Sequence, residues 1–293
     1  MHNSQLLAAC LISTVSTFLG AIAIVRARRR WGLLARGDGR AIGGPALVTG
    51  VVIATASTVT IDLHLALGGM IIVVVGIVDD IIDLCPWQKL LGQVIAAGIV
   101  AAGLASHIEP TSIPPFLIGT AALLWVVLLT NAVNLIDGLD GLLIGTIAPG
   151  MAVLILVSAS TGDAFTLILA AACTGALLAF FPFNRAHARL LLGDTGSEFI
   201  GFSLAVISLI SFLHRPRASS IPVFLLIAAV PLADTAFAII RRTFHHRSIF
   251  AGDRGHIHHR LARSIGEKRS VALLSSLAVL TSTIALLMWR TGM

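Results

Sequence analysis

The sequence predicts an all-α polytopic membrane protein of about ten transmembrane helices, and three observations carry that prediction. Only 12% of the 293 residues are charged, against roughly 25% in soluble domains. The mean hydropathy is +0.96. The chain also divides into ten apolar runs, most of them approaching the roughly 20 residues that a helix needs to cross a bilayer. The runs are continuous, without the alternation that a transmembrane barrel requires.

Taken in order, the first run covers 5 to 25. No basic segment precedes it and its Arg cluster follows it, so it reads as an uncleaved first span rather than a signal peptide. Runs at 45 to 60 and 63 to 79 come next, the latter ending in GIVDDIIDL. The fourth covers 89 to 106. The fifth, 116 to 133, ends in NAVNLIDGLDGL, and the sixth and seventh cover 142 to 160 and 164 to 182. LLLGDTGSE leads into the eighth, 196 to 213. The ninth, 220 to 240, contains Pro231 and Asp234, and GDRGHIHHRL follows it within the longest polar insertion, 241 to 269. The tenth covers 270 to 289. No internal repeat or second domain is visible, so residues 1–293 are expected to form one integral-membrane domain. Cys10, Cys85 and Cys173 lie in or beside spans and read as packing residues.

Orientation follows from Lys and Arg. With the N-terminus outside, seventeen of the twenty basic residues fall in inside loops and only Arg215, Arg217 and Arg290 fall outside, as the positive-inside rule requires. Both termini are then expected to be periplasmic. The formal charge of +6 reflects this topology and gives no reason to invoke nucleic acid.

Spans three, five, seven and nine run from outside to inside, and each ends at a polar cluster, so four clusters share one membrane face. Asp79, Asp80, Asp83, Asp137, Asp140 and Asp194 gather where loops should be basic, and acids near membrane depth mark function. On a helix Asp79 and Asp83 share a face while Asp80 sits about 100° away, so one carboxylate can hold a cation and another can orient a neighbour. Successive three-residue steps from Asn131 to Asp140 drift around a helix, so these residues converge only if the helix breaks, which Gly138 and Gly141 permit. A broken helix C-terminus with amide and carboxylate oxygens suits a hard cation. The GDTGSE segment begins span eight. Its amides near 195–197 suit a phosphate, with Asp194 as a further metal oxygen; alternatively, Asp194 or Ser197 simply caps the helix.

His256, His258, His259 and Arg260 form the fourth cluster. Zinc is conceivable there, but the surrounding polar groups are oxygens and the cysteines lie elsewhere, so phosphate contact is better supported. Asp234 either supports the site or satisfies a kinked helix. Oxygen ligands for Mg²⁺, a helix N-terminus and a basic cluster together describe phosphoryl transfer. Without a sizeable soluble domain, one reactant is expected to be a lipid.

With these motifs in this order, the chain resembles the polyprenyl-phosphate N-acetylhexosamine-1-phosphate transferases of glycosyltransferase family 4, from about residue 43 to residue 261. The resemblance implies a bundle of ten or eleven helices with a cytoplasmic active-site cleft in the bacterial inner membrane. It also implies transfer of a sugar phosphate from a UDP-N-acetylhexosamine to undecaprenyl phosphate, with release of UMP. The family's acidic pair falls on Asp79 and Asp80, the first a base for the lipid phosphate. Its Mg²⁺ and substrate residues fall on Asn134, Asp137, Asp140 and Asp194, with Asp137 and Asp194 among the catalytic set. Its His motif falls on His256, His258 and His259, followed by Arg260. Asn184 matches an Asn near the nucleotide, and Lys89 is added as a substrate-binding cation. Mn²⁺ is expected to substitute for Mg²⁺, and a homodimer is allowed.

Two departures stand out: Leu191 occupies the position of a family aromatic, and GRAIGG replaces the usual Thr-Pro segment. The His-x-His-His-Arg form resembles that of the GlcNAc-type members, which implies a small donor, UDP-GlcNAc first, over the muramoyl-pentapeptide donor, and so a surface polysaccharide such as O-antigen, teichoic acid or capsule. An intramembrane aspartyl protease would leave the Asn pair and His cluster unexplained, and a transporter would show midplane sites and half-chain symmetry.

Overall fold

The computed structural model describes residues 2–31, 41–105, 114–216, 219–246 and 255–292. Twelve helices and one pair of two-residue strands make up the described chain. Helix α1 (His2–Trp31) is followed by β1 (Ala41–Ile42) and α2 (Gly44–Thr58). Helices α3 (Leu63–Ile82), α4 (Pro86–Ala105), α5 (Pro115–Ile136), α6 (Leu142–Thr161) and α7 (Ala164–Asn184) come next. After β2 (Leu190–Leu191) come α8 (Gly193–His214), α9 (Ser220–Ile227), α10 (Ala229–Phe244), α11 (Ile257–Ile265) and α12 (Glu267–Thr291).

Eight of these helices are long and apolar enough to cross a membrane, and the α9–α10 pair counts as a ninth if taken as one broken span. The expected count of ten differs at two places. Helix α2 has 15 residues, about 22 Å at 1.5 Å per residue, which falls short of a hydrocarbon core of about 30 Å. It still reaches the far end of α1, where Gln5 Nε2 donates to the Thr58 carbonyl at 3.4 Å. The ninth run, expected as one continuous span over 220 to 240, is bent by 81° between α9 and α10. Pro231 stands just past the break; it has no N–H to donate, and its ring crowds the carbonyl four residues back, at Ile227.

Helix α8 sits at the centre, packed against α2, α3, α5, α6 and α7. Seventeen of its 22 residues are buried, as a helix apolar on every side must be. Small residues let its neighbours approach. A Cβ added to Gly76 of α3 would lie 2.6 Å from Thr195 Cα, and one added to Gly201 of α8 would lie 2.8 Å from Thr130 Cα of α5. Lipid tails are as apolar as the helix surfaces, so this close backbone packing, rather than hydrophobic burial, holds such helices together.

Helix ends sort to two ends of the bundle, in agreement with the parity of the spans. The parallel pairing Ala41↔Leu190 and Ile42↔Leu191 joins the start of α2 to the start of α8. At the other end, Trp289 Nε1 near the close of α12 donates to Ser160 Oγ near the close of α6 at 2.8 Å. The starts of α2 and α8 and the ends of α3, α5 and α7 therefore share one end, and both described chain ends lie at the other.

Candidate functional site

The site forms where α3, α4, α5 and α8 meet at the shared end. Helix α3 stops at Asp83, which adopts φ 51° in the left-handed region, and the Asp83 amide donates to the Asp79 carbonyl at 3.0 Å. That stop leaves Asp79 and Asp80 on the last turn, facing different partners. Asp79 Oδ1 accepts from the Leu84 amide at 2.6 Å, and its Oδ2 accepts from Lys89 Nζ at 2.7 Å. Both oxygens of the residue expected as a base are thus engaged.

Asp80 performs a different task. Its Oδ1 accepts from the Asp194 amide at 2.9 Å, and its Oδ2 accepts from the Thr195 amide at 3.0 Å and the Thr195 hydroxyl at 2.6 Å. It does for α8, from another helix, what a capping side chain does, and its negative charge also meets the positive end of the helix dipole. Of the amides expected to suit a phosphate, near 195–197, that of Thr195 is already held by a carboxylate of the chain. Gly193 makes the approach geometrically feasible, with φ +66° and the space of an absent Cβ only 2.6 Å from Asp80 Oδ1.

Asp194, freed from capping, turns its carboxylate toward α4 and α5. Its Oδ1 accepts from Lys89 Nζ in a short contact and from Asn134 Nδ2 at 2.7 Å. Asn134 Nδ2 also donates to Ser197 Oγ at 2.8 Å. A cleft of about 120 Å³ opens here, lined by Asn134, Asp137, Leu191, Gly193, Asp194 and Ser197. The donor set of Asp194, Asp137 and Asn134 is all oxygen and backed by an excess of carboxylates over cations, which fits a hard divalent cation such as Mg²⁺ and does not suit a softer metal.

The helix break after α5 divides the motif. Asp137 closes α5, with its amide donating to the Asn134 carbonyl at 3.2 Å, and Gly141 at φ +79° starts α6. Gly141 supplies the left-handed conformation that other residues adopt at a cost. Gly138 serves close approach instead: a Cβ there would lie 2.5 Å from His258 Nε2. Asp137 faces the 120 Å³ cleft, whereas Asp140 lines a second one, of about 470 Å³, with Arg185, His187, Glu267 and Lys268. Asp140 Oδ2 accepts from the Ala188 amide at 2.9 Å. Asn184, expected beside a nucleotide, is buried and spends its amide on the backbone, accepting from Gly141 N–H at 3.2 Å and donating to the Leu190 carbonyl at 3.1 Å. It holds β2 against the turn.

The His cluster docks on the same turn. Asp234 on α10 accepts from His256 Nδ1 at 2.7 Å through Oδ2, and from the His258 amide at 3.2 Å through Oδ1. The choice left open for Asp234 resolves toward support of the site, with the bend at Pro231 setting the angle at which α10 presents it. The ligand atoms of Asp234, His256 and His258 lie within 4.8 Å of one another. The 2.7 Å separation is that of a charge-assisted hydrogen bond, however, whereas ligands of a tetrahedral zinc with bonds near 2.0–2.1 Å stand about 3.3 Å apart. His258 is fully buried, and its ring lies 4.2 Å from that of His259. Arg260 projects outward over the Phe237 ring at 5.4 Å. Residues 252–254 of the same motif, and residues 39–40 of GRAIGG, lie outside the described residues.

Two site residues were missed by sequence reasoning. Glu198 is buried one turn after Asp194, and its Oε1 accepts from Gln93 Nε2 at 2.9 Å; Gln93 Oε1 in turn accepts from Asn131 Nδ2 at 2.5 Å. The signal was present, because polar residues inside spans are rare. Gln93 follows Lys89, and Glu198 follows Asp194, by the four residues that place two side chains on one helix face.

The chain is similar to known proteins. Residues 63–212 match glycosyl transferase family 4. A Bacillus subtilis (strain 168) relative described as a probable undecaprenyl-phosphate N-acetylglucosaminyl 1-phosphate transferase is 35% identical over 259 residues, covering 84% of this chain and 72% of its own. A Mycobacterium tuberculosis decaprenyl-phosphate N-acetylglucosaminephosphotransferase is 33% identical over 260 residues, covering 78% of this chain and 63% of its own. A Lactobacillus gasseri phospho-N-acetylmuramoyl-pentapeptide-transferase is 34% identical over 185 residues, covering 57% and 56%.

Proposed function

The chain belongs to glycosyl transferase family 4, and from that premise we propose that it transfers N-acetylglucosamine 1-phosphate from UDP-GlcNAc to a polyprenyl phosphate, undecaprenyl phosphate first, with release of UMP. The observation that carries the proposal is the meeting of Asp79, Lys89, Asn134 and Asp194 at one end of the bundle. This end is assigned to the cytoplasm of a bacterial inner membrane, with both termini periplasmic, on the strength of the basic residues concentrated in its loops. The product would start a surface polysaccharide.

In the reaction, an oxygen of the lipid phosphate attacks the β-phosphorus of the donor. The bond from that phosphorus to the bridging oxygen breaks, and UMP leaves with the electron pair. A phosphate monoester has a second pKa near 6, so at neutral pH much of the acceptor is already ionised and needs orientation more than deprotonation. The engagement of both Asp79 oxygens is consistent with this. Asp79 then acts by fixing Lys89, whose ammonium offers charge to the phosphates. Asp194, Asp137 and Asn134 would hold Mg²⁺, which when bound lowers the charge on the diphosphate and on the departing UMP. His256, His258, His259 and Arg260 offset charge on the donor phosphates, while Asp80, Asp140 and Asn184 hold the backbone that positions these groups.

The test is direct. Membranes containing the protein are incubated with radiolabelled UDP-GlcNAc, Mg²⁺ and undecaprenyl phosphate, and label is sought in the lipid extract. Preferential transfer from the muramoyl-pentapeptide donor in competition would reject the GlcNAc assignment, and the absence of lipid label from either donor would reject the activity.

A further inference from the structure

We propose that Glu198 is a second seat for the Lys89 ammonium, taken up when a divalent cation claims Asp194 and Asn134. The proposal rests on the metal assignment above and concerns how this chain prepares that site. An ammonium has three protons to donate. In the structure Lys89 Nζ bonds to Asp79 Oδ2 at 2.7 Å, to Asp194 Oδ1 in the short contact and to Asn134 Oδ1 at 3.4 Å, which uses all three. Glu198 Oε1 stands 3.2 Å from the same nitrogen, at ion-pair distance and nearer to it than Asn134 Oδ1.

Two of the three acceptors, Asp194 and Asn134, are the oxygens a metal would take. Their loss would take two acceptors from the ammonium in a low-dielectric interior, where an under-solvated charge is expensive. Glu198 answers that need. It is fully buried, so no solvent cation competes for it. Its Oε2 has no hydrogen-bond partner among the described residues, although leaving a buried acceptor unsatisfied is costly. Gln93, itself held by Asn131, grips Oε1 and fixes the carboxylate one helical turn from Asp194. The relay from Asn131 through Gln93 thus has a use: it fixes an acceptor with unused capacity beside the lysine. Charge agrees, since the carboxyl groups of Asp79, Asp194 and Glu198 outnumber the single Lys89 cation that they face.

The experiment measures Mn²⁺ affinity of the purified full-length protein in detergent, by electron paramagnetic resonance of the free ion. It compares wild type, Glu198→Gln, Lys89→Gln and the double variant. Glu198→Gln is expected to weaken Mn²⁺ binding about tenfold, within the range seen for residues that act behind a metal ligand. Lys89→Gln is expected to tighten it by removing the competitor. With Lys89 absent, the Glu198→Gln effect should shrink to within about twofold, the limit for uncoupled sites. An equal tenfold loss in both backgrounds would show Glu198 acting on the ion directly and overturn the proposal, as would no loss in the single variant. If Glu198→Gln fails to fold, Glu198→Asp decides: it keeps the charge and shortens its reach, so an affinity equal to wild type counts against the second seat and an intermediate loss supports it. Absence of Mn²⁺ binding in wild type would remove the metal assignment together with this inference, whereas binding with an uncoupled cycle removes only the inference.

Discussion

Asp80 stands 114 residues before Asp194, yet its Oδ1 accepts the Asp194 backbone N–H at 2.9 Å. One acid of the α3 pair therefore builds the helix on which another acid of the site is mounted. Removing it should act first on stability. Asp80→Ala leaves two amides and a hydroxyl of α8 without their acceptor, and a lost cap costs about 1–2 kcal/mol. A lowered thermal midpoint in detergent is expected for Asp80→Ala, with that of Asp194→Asn near wild type. Equal midpoints for Asp80→Ala and wild type would refute the capping role.

Asp194→Asn should reduce lipid labelling to below a hundredth of wild type while the protein still inserts, since loss of one charge-stabilising group costs about 10²–10³. A chelator should abolish labelling of the wild type, and added Mn²⁺ should restore it. Full activity in chelator would sink the metal assignment.

Gly138→Ala probes the seam between the turn after α5 and the His cluster. The new Cβ would lie 2.5 Å from His258 Nε2 on the present backbone, so the ring or the turn must shift. A displacement near 1 Å at a positioned group costs about a hundredfold in rate, and turnover should fall by that order with little change in melting. Wild-type turnover would mean that the His cluster does not contribute through its seat on this turn.

Asp234→Asn keeps the volume of the side chain but removes the charge that faces His256 and His258. If Asp234 orients the His segment toward the donor, KM for UDP-GlcNAc should rise while KM for the lipid stays constant. Asp234→Glu should recover part of the loss. A fall in kcat alone, with both KM values unchanged, would assign Asp234 a different role.

Sidedness is testable without activity. In a cysteine-free background, Thr291→Cys marks the end of the bundle away from the site and Ser264→Cys marks the site end. An impermeant maleimide applied to intact cells should label only the first. Labelling of Ser264→Cys would reverse the orientation.

The helical class, the sorting of clusters to one end and the identities of Asp79, Asn134, Asp137 and Asp194 as neighbours were legible in the sequence. Span length, charge asymmetry and parity are one-dimensional constraints that the bilayer imposes on any chain. The break after α5 was legible too, because the spacing of the Asn and Asp residues required it and glycines marked it. Tertiary structure alone decided what each polar group does. Asp79 and Asp80 are adjacent in sequence, but a rotation of about 100° sends one to Lys89 and the other to the amides of α8. Asn184 and Asp140 sit within motifs yet bond to backbone, because the turns they hold are buried and every N–H there needs an acceptor. The bend at α9–α10 was marked by Pro231, but only packing fixed its 81° angle and so brought Asp234 beneath the histidines. Glu198 and Gln93 were one helical turn from known site residues on separate helices, and no spacing along the chain records that those two faces meet.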